Sequence, residues 1–386
     1  MNTFTYSYPV TVYFGEKSAE KNLPKELAKV GDTVMLAYGG GSIKKNGVYD
    51  ELVGILKAAG KNIIEFTGIM SNPTYEKVQE GAKISRENNV SFILAVGGGS
   101  VIDCCKIISA QAKLDKDIWN FEYEEHGQPT EFIPMGAVVT AIGTGAEMNN
   151  GAVITNEEKM MKSPLWGAFY SFAILDPAYT MTMPMKQVLS GAFDSLSHCM
   201  ETYMGSPRNV NLSDEVNEAT QRNIIRNIRV TLADPSDIQA RSELVWAAAM
   251  AENGMLKIGK ATDFQCHMLE HQLGAYTDCN HGQGLAVLHP VLYRHMVSEA
   301  SAQFARLAQT VWNIDSTGKS ETEMANAFVD ALAAFIEETG LPTCFSEMNI
   351  PADTDFHAIA ETTIRTGGCA KKFTSDELYE ILLECI

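Results

Sequence analysis

Long apolar runs are missing from this chain of 386 residues. No stretch approaches the roughly 20 apolar residues that a membrane helix needs. The first ten residues, MNTFTYSYPV, also lack the basic and apolar regions of a signal peptide. We therefore expect a cytoplasmic protein that does not act within a membrane.

Positive charge and paired cysteines are scarce as well. The chain has 30 Lys and Arg against 48 Asp and Glu, a net charge of −18, which disfavours nucleic acid and anionic membranes as partners. The eight cysteines form no CxxC pair and no disulfide-type spacing. We expect most of them to be reduced, with Cys104 and Cys105 inside an apolar helix.

What the first half of the chain does contain is an alternation of strand and helix patterns. Short β-branched runs alternate with amphipathic stretches and favour a mainly parallel sheet covered by helices, the α/β architecture of nucleotide-binding domains. A hairpin and a strand are predicted over residues 151–175, and Pro177 and Pro184 follow. The predicted strands cover residues 11–15, 33–38, 62–66, 92–96 and 132–140.

The second half has helical periodicity almost throughout. It predicts two domains, an α/β domain over residues 1–185 and an all-α domain over residues 186–386. The predicted helices cover residues 186–204, 213–232, 237–259, 263–276, 283–312, 321–339, 355–366 and 375–385.

Two predicted strands end in the same four letters, GGGS, at Ser42 and at Ser100. A glycine cluster between a strand and a helix lets backbone amides and the helix N-terminus meet a phosphate. One copy fits a tight turn equally well, but two copies at strand ends of one sheet favour a phosphate-bearing cofactor. Asp103 is expected in the first turn of the second helix, where it either caps that helix or meets the cofactor.

Two weaker signals follow neighbouring strands. The segment TAIGTGAE, residues 140–147, offers hydroxyls and glycines at a strand end, and Asn72 precedes Pro73 and Thr74. The second pattern is explained equally well by Asn72 as an N-cap with proline at the first helical position.

Four of the eight histidines lie between residues 267 and 289, and a fifth, His198, follows Asp194 by four residues. That spacing places Asp194 and His198 on one helix face, although such a pair alone is more often a surface ion pair. A carboxylate with several imidazoles suits Fe²⁺ or Zn²⁺. His267 and His271 are also four apart, so the spacing alone leaves the ligand set open.

These motifs together resemble the iron-containing, or group III, alcohol dehydrogenases, and within them the butanol dehydrogenase-like branch of NADPH-dependent aldehyde reductases. The matching pieces span nearly the whole chain. They are GGGSVID (97–103), TAIGTGAE (140–147), AFDSLSHCMETY (192–203) and HMLEHQLGAYTDCNHGQGLAVLHP (267–290).

The resemblance implies the dehydroquinate synthase-like fold, with an α/β dinucleotide-binding domain and an all-α domain that holds one divalent metal, Fe²⁺ or Zn²⁺. It implies that His271 is catalytic as a proton relay, or else orients a neighbouring ligand. His289 is expected to be structural. The implied metal ligands are Asp194, His198, His267 and His281, and the implied cofactor residues are Gly40, Gly41, Ser42, Asn72, Gly97, Gly98, Gly99, Ser100, Asp103, Thr140, Thr144, Asn149 and Lys162.

The resemblance also implies the reaction, a reversible hydride transfer between short-chain primary alcohols such as butanol and their aldehydes, with the metal polarising the carbonyl as a Lewis acid. NADP(H) is predicted over NAD(H), because the second strand ends without an aspartate and is followed by Ser42, Lys44 and Lys45. A homodimer is implied too. The alternatives are a glycerol dehydrogenase, a dehydroquinate synthase-like lyase, or a non-catalytic nucleotide- or metal-binding protein.

Overall fold

A computed structural model describes residues 1–386, which form two compact units. One unit is Ser7–Met183, and the other consists of Met1–Tyr6 together with Pro184–Ile386. Within the second unit, the N–H of Asn2 donates to the carbonyl of Gly259 at 3.0 Å. The dinucleotide-binding role predicted for residues 1–185 and the metal-binding role predicted for residues 186–386 stay predictions, since compactness does not test them.

The first unit is built on a six-stranded sheet in which every pairing is parallel. Its central strands are continuous apolar runs rather than alternating patterns, because helices cover both faces of such a sheet. The prediction of a mainly parallel α/β domain is confirmed. The strands are β1 (Thr11–Phe14), β2 (Thr33–Tyr38), β3 (Asn62–Phe66), β4 (Phe92–Gly97), β5 (Met135–Val139) and β8 (Phe172–Leu175), and a separate antiparallel hairpin contains β6 (Gly151–Asn156) and β7 (Met161–Trp166).

Six helices accompany the sheet, and a buried core of aliphatic and aromatic residues lies between them and the strands. The helix after β4 is apolar along most of its length and buries Cys104 and Cys105, as predicted. The helices are α1 (Ser18–Leu27), α2 (Ser42–Lys45), α3 (Val48–Ala58), α4 (Tyr75–Glu87), α5 (Gly99–Gln111) and α6 (Ile118–Tyr123).

The strand order β1-β8-β5-β4-β2-β3 contains a switch point between β2 and β4. From β2 the chain moves outward to β3, then returns to the other side of β2 to form β4. In open α/β sheets, ligands bind at the carboxyl ends of the strands beside such a point. The two GGGS segments follow β2 and β4 and therefore flank it.

The second unit is helical, as predicted. None of its helices, or of those in the first unit, is both long and apolar enough to cross a membrane. Its helices are α7 (Met185–Met204), α8 (Leu212–Ala233), α9 (Ile238–Glu252), α10 (Gln265–Thr277), α11 (His281–Arg294), α12 (Ser301–Thr310), α13 (Glu321–Thr339), α14 (Phe356–Thr362) and α15 (Ser375–Glu384).

The prediction of one helix over residues 283–312 is wrong, because α11 ends at Arg294 and α12 begins at Ser301. Buried Met296 and Ala300 continue the apolar pattern through the break, and neither Gly nor Pro marks it. The helix predicted over residues 237–259 is also too long. It ends at Glu252, just before Gly254, which has a φ of +83°.

Candidate functional site

The two glycine segments lie side by side at the carboxyl edge of the parallel sheet. Gly41 adopts a φ of +92° and forms the N-cap of the short helix α2, a conformation that favours glycine. Gly98 is the N-cap of α5, and no side chain caps that helix or places an acid in its first turn. The first amide groups of α5 are therefore suited to an anion such as a phosphate.

The turn after β4 also requires glycine for packing reasons. A Cβ added to Gly99 would lie 2.3 Å from Oγ1 of Thr144, and one added to Gly98 would lie 2.9 Å from Cβ of Ala141. The amide of Thr140 donates to the carbonyl of Gly97 at 3.0 Å. The segment after β5 is thereby held against the turn after β4. The GGGS motif at residues 97–100 and the TAIGTGAE motif at residues 140–147 therefore meet at one edge of the sheet.

The structure places the remaining predicted cofactor residues in this same unit, but several have internal partners. Asp103 lies beyond the first turn of α5 and does not cap it, so its predicted place in that turn is wrong, while its contact with the cofactor stays a prediction. Its carboxylate instead accepts from the amide of Val153 at 2.9 Å and lies 3.5 Å from Nζ of Lys106. The side chain of Asn149 accepts from Lys106 at 2.9 Å. The hydroxyl of Ser100 donates to the carbonyl of Ser71.

The interpretation of Asn72 as an N-cap is also wrong. Thr74 caps α4, since its hydroxyl accepts from the amide of Lys77 at 3.3 Å, and the helix begins at Tyr75. Asn72 is buried just ahead of that cap, and Lys162 is buried on β7. Their cofactor roles stay predictions.

The carboxylate of Glu65, on β3, lies beside the end of β2, and β2 itself has no acidic residue. It accepts hydrogen bonds of 2.5 Å from the hydroxyls of Tyr38 and Tyr49, and Nζ of Lys44 lies 3.7 Å from it. The ammonium of Lys44 also lies 4.5 Å from the ring centre of Tyr49. Both oxygens of Glu65 are thus engaged, and Lys44 is held at this edge.

The helical unit gathers the predicted metal ligands around one carboxylate oxygen, Oδ1 of Asp194. Nε2 of His267 and Nε2 of His281 each lie 3.4 Å from it, and Nε2 of His198 lies 3.7 Å from it. Asp194 and His198 are on α7, His267 is on α10 and His281 begins α11. Three helices therefore bring together residues that are 87 positions apart along the chain.

Three of these residues, Asp194, His267 and His281, fit a divalent metal ion by their spacing, because their ligand atoms all lie within 4.8 Å of one another. Ligand atoms about 2.1 Å from a tetrahedral Zn²⁺ or Fe²⁺ are about 3.4 Å from one another. Oδ1 of Asp194 and Nε2 of His267 are buried and make no hydrogen bond of acceptable geometry. Buried polar atoms without partners are rare, and a bound cation would satisfy these two.

The electrostatics of the cluster support the same fit. Burial raises the pKa of Asp194, but His198 and the neighbouring imidazoles outweigh it and hold that pKa well below its usual range. Burial lowers the pKa of His267, but Glu201 and Asp194 together raise it to about 10. The surrounding carboxylates therefore favour a positive charge at this point, which either a proton or a metal ion supplies.

Two buried glutamates that the sequence reasoning missed contact the outer nitrogens of the imidazoles. Glu201 on α7 bonds Nδ1 of His267, and Glu270 on α10 bonds Nδ1 of His281. Spacing gave no signal for these contacts, because Glu201 and Glu270 lie 66 and 11 positions away from the histidines that they contact.

The other histidines differ in their surroundings. The ring of His271 lies 5.5 Å from that of His281 and 6.1 Å from that of His267, centre to centre, so it borders the cluster. His289 is fully buried and bonded to the hydroxyl of Ser197 at 2.5 Å, and burial lowers its pKa to about 4. These contacts fit the structural role predicted for it.

The remaining histidines lie away from the cluster, and the cysteine beside it is protected. His126 and His357 are exposed, and His295 is half-buried and paired with Glu384 at 2.9 Å. Cys266 is buried, and burial raises the pKa of its thiol well above the usual range, so it is a small packed thiol rather than a thiolate ligand. All eight cysteines are free, which agrees with the prediction that most of them are reduced.

Comparison with known protein families accounts for both units. A family described as iron-containing alcohol dehydrogenase matches residues 9–177. A second family model, the C-terminal part of the Fe-containing alcohol dehydrogenase family, matches residues 188–385. The two matches together cover nearly the whole chain.

Two curated relatives are similar over at least 90% of their length. The chain is 38% identical over 387 residues to the probable NADH-dependent butanol dehydrogenase 1 of Bacillus subtilis, covering 99% of each protein. It is 36% identical to the NADPH-dependent aldehyde reductase YqhD of Escherichia coli, covering 91% of this chain and 90% of the relative.

Solved structures have the same fold. The NADH-dependent butanol dehydrogenase A of Thermotoga maritima superposes with a TM-score of 0.93 at 32% identity, covering 100% of this chain and 99% of that one. A crystal structure of YqhD from Escherichia coli gives a TM-score of 0.91, also at 32% identity and with the same coverage. The chain therefore belongs to the iron-containing alcohol dehydrogenase family and is an oxidoreductase that interconverts alcohols and aldehydes.

Proposed function

We propose that this protein is an NADP(H)-linked reductase of short-chain aldehydes such as butanal, working reversibly with the corresponding primary alcohols. The observation that carries the proposal is the cluster of three imidazole nitrogens within 3.4–3.7 Å of Oδ1 of Asp194. The two GGGS segments at the carboxyl edge of the parallel sheet, here called the glycine edge, would bind the cofactor. Residues 97–100 would lie at its phosphates.

Asp194, His198, His267 and His281 would hold one divalent ion, Fe²⁺ or Zn²⁺. When bound, such an ion supplies Lewis-acid polarisation of a substrate oxygen. The four side chains fix the position at which that oxygen is held, and the buried setting of Asp194 and His267 excludes bulk water from their side of it. His271, which borders the cluster, would pass a proton through its imidazole between solvent and the substrate oxygen.

The preference for NADP(H) is proposed from the edge of β2. Glu65 is the acid at this edge, and its oxygens already accept from Tyr38 and Tyr49, with Nζ of Lys44 3.7 Å away. Lys44 and Ser42 would donate to a 2′-phosphate. Relatives named NADH-dependent and one named NADPH-dependent both match this chain, so their names do not decide the cofactor.

Initial rates test the function and the cofactor together. Protein stripped of metal by a chelator is reconstituted separately with Fe²⁺, without oxygen, and with Zn²⁺, and the oxidation of NADPH and NADH by butanal is followed. We expect turnover only after reconstitution, with a higher kcat/KM for NADPH. A higher kcat/KM for NADH would contradict the cofactor proposal, and no turnover with any metal would favour the lyase or glycerol dehydrogenase alternative.

Two substitutions test the ligand set. His267→Ala and Asp194→Ala each remove a donor from the centre of the cluster, so we expect loss of retained metal and loss of activity together. His295→Ala, a half-buried histidine outside the cluster, serves as the control and should retain both. Retained metal in His267→Ala protein would contradict the assignment.

A homodimer and a cytoplasmic location complete the proposal. The homodimer rests on the family resemblance, and the cytoplasmic location rests on the lack of long apolar runs and of a signal-peptide pattern in the sequence. Light scattering coupled to size-exclusion chromatography measures the first directly, and a mass equal to one chain would contradict it.

A further inference from the structure

We infer that Glu201 and Glu270 are positioning residues that orient the imidazoles of His267 and His281, so that each Nε2 faces Asp194 ready for a cation. This inference rests on the proposed function, because it assumes that the cluster around Asp194 binds a metal ion. Neither glutamate is a ligand in it. Each acts through a histidine on a different helix.

Glu201 connects α7 to the start of α10. Its carboxylate accepts from Nδ1 of His267, from the amide of Cys266 at 2.6 Å and from the amide of His267 at 3.3 Å. The N-cap of α10, Phe264, provides no side-chain cap, so Glu201 supplies the missing acceptor from a neighbouring helix. One fully buried side chain thus fixes both the backbone and the ring of His267.

Glu270 orients the imidazole of His281 in the same way, connecting α10 to the start of α11. It is fully buried on α10, and its Oε2 bonds Nδ1 of His281, the first residue of α11. Close packing holds it there, since a Cβ added to Gly284 would lie 2.9 Å from its Cγ. Glu270 also accepts from the thiol of Cys279 at 3.7 Å.

These contacts decide which nitrogen of each ring carries the proton. A carboxylate only accepts, so Nδ1 of His267 and of His281 keeps its proton, and Nε2 is the nitrogen that would give up its proton and offer its lone pair to a metal ion. Both Nε2 atoms lie 3.4 Å from Oδ1 of Asp194. Carboxylates that hold the far nitrogen of a metal-binding histidine raise its basicity and fix its ring, and their loss typically costs 10–100-fold in affinity.

His198 provides an internal contrast. Its Nδ1 is buried and has no hydrogen-bond partner, and its Nε2 is the more distant of the three, at 3.7 Å from Asp194. The two imidazoles with a glutamate behind them are therefore the two that approach Asp194 most closely.

The test measures metal binding by the intact chain rather than turnover. Glu201→Gln and Glu270→Gln keep an acceptor and lose the charge, and Glu270→Met also loses the acceptor. The matched control is Glu218→Gln, a buried glutamate of the same unit that bonds the hydroxyl of Tyr203 at 2.8 Å and Arg306 at 2.6 Å. Affinities for Zn²⁺ and Co²⁺, the number of ions bound, and the visible absorption spectrum of the Co²⁺ form are measured for each variant that gives the circular dichroism of the parent.

We expect affinity to fall about tenfold in each glutamine variant and about 100-fold in Glu270→Met, with an altered Co²⁺ spectrum. Glu218→Gln should match the parent in both measurements. Unchanged affinity and spectrum in the Glu201 and Glu270 glutamine variants would overturn the inference.

Two other results would also overturn it, and they separate its failure from that of the proposed function. If the parent binds two ions and Glu270→Gln loses only one of them, then Glu270 is a ligand together with His271 and His281, which lie close enough for that role. If the parent binds no metal, or Asp194→Ala binds it as tightly as the parent, the metal cluster itself is wrong.

Discussion

Lys106 is a fully buried lysine in the middle of α5. Its ammonium donates to Oδ1 of Asn149 at 2.9 Å and to the carbonyl of Gly151 at 2.5 Å, and it lies 3.5 Å from Asp103. A buried charge is tolerated only when it is paired and hydrogen-bonded in this way. The lysine therefore joins the helix that begins at the glycine edge to the start of the β6–β7 hairpin.

Replacing Lys106 by Met tests this role. The variant keeps the length of the side chain but removes the buried ammonium that bonds Asn149 and Gly151 and pairs with Asp103, so we expect the free energy of unfolding to fall by about 3–5 kcal/mol. Urea denaturation measures it. Lys83→Met is the control, because Lys83 is exposed and its pairing with Glu87 at 3.9 Å is worth little. A loss below about 1 kcal/mol in the Lys106 variant would contradict the role.

The protonation of Glu122, on α6, should make the stability of the protein depend on pH in a definite direction. Its Oε2 accepts from the amide of Trp166 at 2.8 Å, while its Oε1 is buried without a hydrogen-bond partner. Burial raises its pKa to about 7, and the bond from Trp166 offsets only part of that rise. Because the unfolded chain releases this proton near its ordinary pKa, the contribution of Glu122 to stability is lost as pH rises toward 7 and stays lost above it.

Glu122→Gln should therefore stabilise the protein at pH 8 by about 1–2 kcal/mol, allowing for partial solvent screening, and change it little at pH 5. The amide oxygen still accepts from Trp166, so only the charge is removed. Urea denaturation at the two pH values measures the difference. Glu124→Gln, at an exposed position paired with Lys159 at 3.3 Å, should have no such pH dependence. Equal effects of Glu122→Gln at both pH values would show that the pKa of this carboxyl is not raised.

At the scale of elements, the approach of α11 to α7 depends on one glycine. A Cβ on Gly282 would lie 2.2 Å from the carbonyl oxygen of Ser190, which is backbone and cannot rotate away. The hydroxyl of Ser190 also donates to Oδ1 of Asn280 at 2.5 Å, so the two helices touch through both main chain and side chain. This contact places His281 beside Asp194.

Gly282→Ala should force the two helices apart and lower the free energy of unfolding by about 2 kcal/mol or more. We also expect weaker Zn²⁺ binding, because His281 moves with α11. The matched control is Gly54→Ala in α3, where an added Cβ meets nothing within 4 Å and the higher helix propensity of alanine should stabilise slightly. Wild-type metal affinity in the Gly282 variant would show that this contact does not set the position of His281.

Most of the elements were predictable from local pattern. The strands Thr33–Tyr38 and Asn62–Phe66 have exactly the predicted bounds, since buried parallel strands are short β-branched runs between turns. The break between α11 and α12 was not predictable by periodicity, because Met296 and Ala300 keep the helical spacing of buried residues through it.

The candidate site was predictable only in part, for a physical reason. Motif resemblance identified Asp194 and the histidines, whose grouping in space is now explained by the packing of α7, α10 and α11. Asp103, Asn149 and Glu201 form hydrogen bonds with groups that lie 50, 43 and 66 positions away along the chain. Contacts of that kind depend on tertiary packing, so composition and spacing could not show that these side chains bond inside the protein.

At the scale of the whole molecule, the two compact units carry different chemistry. The cluster around Asp194 belongs to the unit containing Pro184–Ile386. The backbone amide groups of the two GGGS segments belong to Ser7–Met183. The chain also has a net charge of −18, which opposes an anionic cofactor at long range. We therefore expect the proposed binding of NADPH to depend on local donors such as Lys44 and the N-terminus of α5.

Hydrogen exchange followed by mass spectrometry tests this division on the full chain. Zn²⁺ is expected to slow exchange in peptides from α7, α10 and α11, because it joins side chains from those three helices. NADPH is expected to slow exchange in peptides that cover residues 39–45 and 97–103, where backbone amides would meet its phosphates. Asp194→Ala should lose the Zn²⁺ effect. If NADPH instead protected only peptides of the helical unit, the glycine edge would not be the phosphate site, and the cofactor residues proposed from it would be wrong.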